Sequence, residues 1–281
     1  MNNNKLLILY HSGAGSTKTI AEIYFKKLDS YFVDISSIDL EDDYKKLKSY
    51  DFLIFAFPTY HCSPSPSMME FINHMPTFNE PKKAFAFTTY GLYSGNTLRE
   101  FINKCSSKNI NVNGYSGYRA PATDGALLLP PVSFMFSYEK NISTKIMADI
   151  KKIDDIIKSD ANKVQCPSFK LYTILNYPNK ILGKAHKHKL KLLKENCVNC
   201  NKCVNDCIRK CWTKIGVYPQ FEVENCEFCL KCIHHCPNGA IVLSGKTQKK
   251  IKLNEKFYSK LKGKIWFENR LWVQIIESTI N

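Results

Sequence analysis

Short apolar runs separated by amphipathic stretches fill the first half of the chain. Such runs predict buried strands, which we place at Lys5–Tyr10, Phe52–Phe57, Ala84–Thr88 and Asn111–Arg119. Apolar residues at helical spacing lie around and between them, at Lys18–Leu28, Ser67–His74, Asn96–Ser106 and Ser143–Ser159. Strands that alternate with helices predict an α/β fold with a doubly wound parallel sheet, in which ligands bind beyond the carboxyl ends of the strands.

A loop rich in glycine and hydroxyl side chains joins the first predicted strand to the first predicted helix. Because Ser12–Thr17 follows a strand and opens a helix, backbone N–H groups and the positive end of the helix dipole converge there. This chemistry suits a phosphate group. The loop has neither the G-x4-G-K pattern of NTPases nor the G-x-G-x-x-G pattern of dinucleotide sites, so both classes are disfavoured.

The second half of the chain is rich in cysteine. Nine of the twelve cysteines fall between positions 197 and 236. Eight of them spell C-x2-C-x2-C-x3-C twice, with each cysteine 29 positions from its counterpart. Clustered cysteines without a secretory leader indicate metal binding or redox chemistry rather than a disulfide framework.

The spacing favours [4Fe–4S] clusters over zinc. Three thiolates within seven residues wrap one side of a cuboidal cluster, and the fourth cysteine reaches across to the other cluster. Zinc favours two C-x2-C pairs separated by a longer loop. We therefore assign one cluster to Cys197, Cys200, Cys203 and Cys236, and the second to Cys207, Cys226, Cys229 and Cys232.

This region resembles the bacterial two-cluster ferredoxins over about residues 188–246, which implies a small α+β domain. The second run, which ends in Cys236 and Pro237, matches in full, whereas Ile208 stands where the family usually has proline in the first run. Cys211 is an extra thiol four residues after Cys207 and is an alternative ligand. We favour Cys207.

The first half looks like the flavodoxin family over about residues 5–160, because polar loops follow three successive predicted strands. In that family the three loops hold the phosphate and the two sides of an FMN ring. The resemblance puts the phosphate on Ser12, Gly13, Ala14, Gly15, Ser16 and Thr17. It puts one edge of the ring on Pro58, Thr59, Tyr60 and His61, and the other on Thr89, Tyr90, Gly91, Tyr93, Gly95 and Asn96. Ala14 replaces the usual hydroxyl residue, which leaves one phosphate donor fewer.

The net charge of +15 is concentrated in the second half. Residues 1–160 carry 18 basic and 17 acidic side chains, whereas residues 161–281 carry 22 and 8. Lysine supplies 36 of the 40 cations, which argues against specific nucleic-acid recognition because arginine is the usual reader of bases. The segment Lys180–Lys194 has the pattern of a basic amphipathic helix; we interpret it as a solvated connector, with a docking face for an acidic partner or anionic lipid as the alternative.

No apolar stretch is long enough to cross a membrane, and no signal peptide is evident, so we expect a cytoplasmic protein. The chain divides into a flavodoxin-like domain at 1–160, a basic linker at 161–187, a ferredoxin-like domain at 188–246 and a C-terminal helical tail at 247–281. In the tail, the residues Phe257, Leu261, Ile265 and Trp266 lie near helical spacing.

The order of the two domains resembles the flavodoxin–ferredoxin fusion proteins common in anaerobes. The resemblance implies an oxidoreductase in which electrons pass from a reduced donor protein through two [4Fe–4S] clusters to FMN, and on to a small-molecule substrate or an acceptor protein. An electron carrier without a substrate of its own is one alternative. An iron–sulfur sensor or scaffold with an empty flavodoxin-like half is another. The sequence assigns no catalytic residue.

Overall fold

Five parallel strands form a sheet in the first half of the chain. The computed structural model describes residues 4–40, 44–129, 133–159, 163–175 and 185–263. The strands are β1 (Lys5–Tyr10), β2 (Phe32–Ser37), β3 (Phe52–Tyr60), β5 (Lys82–Tyr90) and β6 (Ile110–Arg119), in the spatial order β2-β1-β3-β5-β6. A short strand, β4 (Ser63–Pro64), pairs antiparallel with the end of β3.

Helices cover both faces of this sheet. One face packs against α1 (Ser16–Lys27) and α5 (Ile142–Lys158), and the other against α2 (Pro66–His74) and α3 (Thr97–Ser106). A shorter helix, α4 (Thr123–Leu128), follows β6. The expected doubly wound α/β architecture is therefore confirmed.

The central strands are apolar without interruption because both of their faces are covered. Residues 52–57 of β3 are all buried, and so are residues 84–89 of β5. Both strands run past the predicted ends, to Tyr60 and Tyr90, and so carry the first residues of the polar loops. The edge strand β2 was not predicted from the sequence; its side chains are only partly buried, and Phe32 is 56% exposed.

The cysteine-rich half is built from small elements around a small core. β7 (Lys191–Leu192) pairs antiparallel with β10 (Ile241–Val242), and β8 (Trp212–Lys214) pairs with β9 (Pro219–Phe221). The short helices are α6 (Tyr172–Leu175), α7 (Lys202–Asn205), α8 (Lys231–His235) and α9 (Gly245–Gln248). The core contains Trp212, Ile233 and Ile241, together with Leu127 of α4, so it is shared with the first half.

The amphipathic helix considered for Lys180–Lys194 does not run through to Lys194. Residues 185–186 are helical and 187–189 form a 3-10 turn, but the chain then enters β7 at Lys191. The physical reason is the alternation of lysine and leucine at 189–192, which fits the period of a strand as well as that of a helix. Residues 180–184 lie outside the described residues.

Two connecting segments lie along the first half. In the predicted linker, the Gln165 N–H donates to the Val112 carbonyl at 2.9 Å, and the Lys170 N–H donates to Asn96 Oδ1 at 2.8 Å. In the predicted tail, residues 255–263 are helical and pack on the α1 and α5 side of the sheet. Ile265 and Trp266 lie outside the described residues.

Within the described residues, no helix has the length and apolar character needed to cross a membrane.

Candidate functional site

Three loops meet at the carboxyl ends of β1, β3 and β5 around a cavity of about 70 Å³. Most of the predicted flavin-site residues line it: Ser12, Gly13, Ser16, Thr17, Pro58, Thr59, Tyr60, His61, Thr89, Tyr90 and Gly91. The chain segment 120–124 and Phe228, from the cysteine-rich half, complete its wall. The topology thus brings together residues that are far apart in the sequence.

Five predicted residues lie away from this cavity. Ala14 and Gly15 line the opposite side of the glycine-rich loop. Tyr93 is 66% exposed, and Gly95 packs against Cys62. Asn96 Oδ1 accepts a hydrogen bond from the Lys170 N–H. These five residues do not line the cavity of about 70 Å³.

The glycine-rich loop presents hydroxyl groups and backbone N–H groups at the start of α1. Thr17 Oγ1 lies 2.8 Å from Thr89 Oγ1, and Ser12 Oγ accepts a hydrogen bond from the Lys18 N–H at 3.3 Å. The Tyr60 hydroxyl is buried and has no hydrogen-bond partner among the described residues. It lies so close to Gly13 that a Cβ added there would be 2.7 Å from it, which explains the glycine.

The outer side of the same loop is covered by the second half of the chain. His235 Nε2 donates to the Ala14 carbonyl at 2.7 Å. The Tyr258 hydroxyl lies 2.8 Å from Ser16 Oγ, and its ring lies over Gly15, which has a φ of 144°. The loop is therefore held between the sheet on one side and the cysteine-rich half on the other.

The eight repeated cysteines line two cavities, and Cys203 and Cys236 reach both of them. A small cavity of about 20 Å³ is lined by Cys197, Cys200, Cys203 and Cys236. Cys207, Cys226, Cys229 and Cys232 line a cavity of about 700 Å³ at the contact between the two halves, which Cys203, Cys211 and Cys236 also reach. The small cavity thus places Cys236 of the second run beside three cysteines of the first run.

The two runs share an unusual backbone geometry. Left-handed residues recur at the 29-residue offset, with φ values of 54° and 59° at Asn199 and Phe228, and of 56° and 61° at Asn201 and Leu230. Phenylalanine and leucine rarely adopt this conformation, so the surroundings must hold them there. Alternating right- and left-handed residues turn successive N–H groups toward one concave side, a geometry found at iron–sulfur and phosphate sites.

Backbone N–H groups also donate to the fourth sulfur of each run. The Cys211 N–H lies 3.4 Å from Cys207 Sγ, and the Ala240 N–H lies 3.2 Å from Cys236 Sγ, again 29 positions apart. The Cys211 thiol donates to Cys207 and thereby lowers the pKa of Cys207 to about 6, while the pKa of Cys211 is raised. This arrangement favours the thiolate at Cys207.

Sequence reasoning missed Glu227, which lies between two cysteines of the second run. Its side chain is 1% exposed, and its Oε2 accepts hydrogen bonds from the Ser67 N–H at 3.0 Å and the Ser67 hydroxyl at 2.7 Å. Its Oε1 lies 3.1 Å from His11 Nε2. Burial raises the pKa of Glu227, but His11 and Ser67 outweigh burial and leave that pKa below its usual value. The one signal in the sequence is an acid where the first run has Val198.

Comparison with known proteins identifies the first half. The family model of the flavodoxin domain matches residues 7–135. No curated protein matches the chain. A flavodoxin from the domain Archaea is 17% identical over 55% of this chain and 99% of its own, with a TM-score of 0.38.

Two further solved structures are similar to the chain. A flavodoxin of Streptococcus pneumoniae is 16% identical over 54% of this chain and 99% of its own, with a TM-score of 0.40. The apo form of an NADH:FMN oxidoreductase is 14% identical over 58% of this chain and 95% of its own, with a TM-score of 0.42. The family match and the strand order together show that the N-terminal part of the chain is a flavodoxin-like domain.

Proposed function

We propose that this chain is an iron–sulfur flavoprotein that passes electrons between a redox partner protein, two [4Fe–4S] clusters and FMN. The observation that carries the proposal is the doubled cysteine loop. The eight thiols of the repeat line two cavities, and the two runs share left-handed residues at matching positions. The flavodoxin-like domain supplies the second redox site beside them.

The donor set fits two clusters. Thiolates are the ligands that iron–sulfur clusters take, and N–H groups aimed at the sulfurs stabilise their negative charge. Among the described side chains, no three His, Cys, Asp or Glu residues converge closely enough to hold a single metal ion. Zinc sites favour two C-x2-C pairs separated by a longer loop, so the doubled C-x2-C-x2-C-x3-C spacing supports clusters over zinc.

The glycine-rich loop fits the phosphate end of FMN. The cavity of about 70 Å³ suits a phosphate group, and the hydroxyls of Ser12 and Thr17 and the unpartnered hydroxyl of Tyr60 surround it. Whole-ligand pockets usually measure about 300–1,000 Å³, so the ring must lie largely outside this cavity. We assign it to the loops that begin with Pro58 and Thr89.

The protein's own residues would place and insulate the cofactors. Bound FMN would supply the exchange between single electrons and electron pairs. Ser12, Thr17 and the start of α1 would bind its phosphate, and Tyr60 and Tyr90 would flank its ring. The eight cysteines would hold the clusters, and the shared core would fix the clusters relative to the loops.

The partner and the terminal acceptor follow from this arrangement. One-electron carriers need a reduced protein donor, and the excess of lysine in the second half suits an acidic one. A small-molecule acceptor would react at the flavin; without one, the protein is an electron carrier. Both variants of the function require the same three cofactors.

Cofactor analysis of protein purified without oxygen tests the proposal. We expect two clusters' worth of iron and sulfide and one FMN per chain. Iron without releasable FMN would favour a sensor or scaffold with an empty flavodoxin-like half, and colourless zinc-containing protein would remove the redox function altogether.

A variant pair tests the division of labour. Thr17→Ala removes a hydroxyl that lines the cavity, and we expect FMN affinity to fall about fivefold for a loss of about 1 kcal/mol, with iron content unchanged. Thr19→Ala is the control, because that hydroxyl bonds to the Gly15 carbonyl and does not line this cavity. Equal loss of FMN in both variants would contradict the assignment.

A further inference from the structure

The two cysteine runs are alike in backbone but differ in what surrounds their first loop. In the second run, the loop between Cys226 and Cys229 contains Glu227 and Phe228, and both side chains are buried. At the equivalent positions of the first run stand Val198, which is 57% exposed, and Asn199. The two loops therefore have the same backbone geometry, but the side chains of the second loop are buried and Val198 of the first loop is exposed.

The loop from Cys226 to Cys229 touches the flavodoxin-like domain along its whole length. Glu227 bonds to Ser67 at the start of α2. Phe228 enters the wall of the cavity formed by the three polar loops. A Cβ added to Gly13 would lie 3.0 Å from the Cys229 carbonyl oxygen, so this cysteine lies directly against the proposed phosphate loop.

Cys197, Cys200, Cys203 and Cys236 line a small cavity within the cysteine-rich half. Every described residue that lines this cavity falls between positions 192 and 241. Cys200 is exposed, whereas its counterpart Cys229 is partly buried. Cys203 and Cys236 also reach the cavity between the halves, whereas Cys197 and Cys200 do not line it. The side of this group that carries Cys197 and Cys200 therefore faces away from the flavodoxin-like domain.

From this asymmetry we propose that the two clusters have fixed and different positions in the electron path. The cluster of Cys207, Cys226, Cys229 and Cys232, the inner cluster, exchanges electrons with the flavin. The cluster of Cys197, Cys200, Cys203 and Cys236, the outer cluster, exchanges them with the redox partner. This assignment rests on the proposed function, because it presupposes both clusters and FMN.

The electron balance needs only a one-electron reductant, such as a reduced iron–sulfur protein. Each transfer oxidises the donor by one electron, reduces the outer cluster, and then moves the electron to the inner cluster and the flavin. Two such transfers, with two protons from water, complete the reduction of one FMN. Glu227 and Phe228 act as positioning residues, because they join the inner-cluster loop to the domain that holds the flavin.

The test uses the equivalent ligands of the repeat as matched variants. In partly reduced holoprotein, a paramagnetic cluster speeds the magnetic relaxation of one-electron-reduced flavin, and the nearer cluster does so more strongly. We compare Cys229→Ala with Cys200→Ala, and take the double variant as the baseline without clusters. We expect each single variant to lose half of the iron. Cys229→Ala should lose the relaxation enhancement, and Cys200→Ala should keep it.

A second measurement keeps all eight cysteines, since removing a ligand can prevent folding. In a potentiometric titration of wild-type holoprotein, the relaxation enhancement appears as the inner cluster is reduced. Glu227→Gln removes a buried negative charge between two ligands of that cluster, so the midpoint of the enhancement should shift to higher potential. The control Glu224→Gln removes an exposed charge two residues before Cys226 and should leave the midpoint unchanged.

The outcomes separate this inference from the function on which it depends. Wild-type protein without FMN or without clusters would refute the proposed function. Protein that holds all cofactors, but loses the enhancement in Cys200→Ala or shows the same midpoint in Glu227→Gln and wild type, would overturn the cluster order alone.

Discussion

The carboxylate of Glu227 joins the two halves of the chain, and its removal gives the sharpest stability prediction. In Glu227→Ala, the Ser67 N–H and hydroxyl lose their acceptor, and the His11 imidazole loses the carboxylate at 3.1 Å. Ser67 lies in the first turn of α2, and the residue before that helix provides no side-chain cap. Glu227 therefore accepts a helix N–H group from outside the helix.

The size of the effect follows from burial. The two side chains of the pair are 1% and 5% exposed, so water replaces little of what is lost. Each buried donor left without an acceptor costs about 1–3 kcal/mol, and three donors face this carboxylate: the Ser67 N–H, the Ser67 hydroxyl and the His11 ring. The losses overlap, so we expect Glu227→Ala to lower the free energy of unfolding by about 3–5 kcal/mol.

This loss is measured by urea unfolding of the holoprotein at neutral pH under anaerobic conditions, with circular dichroism as the signal. Glu224→Ala is the matched control, because Glu224 is exposed and its change should stay within about 0.5 kcal/mol. Glu227→Gln should recover part of the loss, since an amide oxygen can still accept from Ser67. If Glu227→Ala unfolds at the same urea concentration as Glu224→Ala, the buried contact between the halves does not exist as described.

Three further predictions concern the flavodoxin-like domain. Gly95→Ala should lower the free energy of unfolding by about 2–4 kcal/mol in thermal or urea unfolding, because φ is +54° and the new Cβ would lie 2.4 Å from the Cβ of Cys62. Gly245→Ala is the control, because an added Cβ there meets no atom within 4 Å. Phe101→Ala should cost about 3–5 kcal/mol in the same assay, since the ring is completely buried between the sheet and α3. Burial and neighbouring oxygens raise the pKa values of Tyr24 and Tyr118 well above 10, so stability is full below the unfolded pKa of about 10 and declines at higher pH. Urea midpoints measured across that range should fall less in Tyr24→Phe than in wild type, and an equal fall would contradict the assignment.

The central strands could be predicted because the signal for them is local. β1, β3 and β5 are covered on both faces, so each has a central run of consecutive apolar residues. The edge strand β2 has only partial cover and includes Asp34, so no run of apolar residues marks it. The cysteine spacing is also a local signal, because each C-x2-C-x2-C stretch spans only seven residues.

The contacts between the halves could not be predicted from local patterns. Glu227 meets Ser67 across 160 positions, and Tyr258 meets Ser16 across 242. The residues next to Glu227 and Tyr258 in the sequence do not indicate whether these two side chains are buried or exposed to solvent. The exposure of Tyr93, which the resemblance places at the flavin, likewise depends on how its loop packs and not on its own sequence.

The helix at 255–263 has a consequence for how the chain can be divided. Leu253 and Tyr258 belong to the same apolar core as Ile20 of α1, and Lys262 pairs with Glu22. The C-terminal described residues thus pack on α1 and complete the apolar core on that face of the sheet. Cutting the gene near position 160 would leave part of that layer bare, so the two halves should fail to express as independent fragments and should regain solubility when produced together.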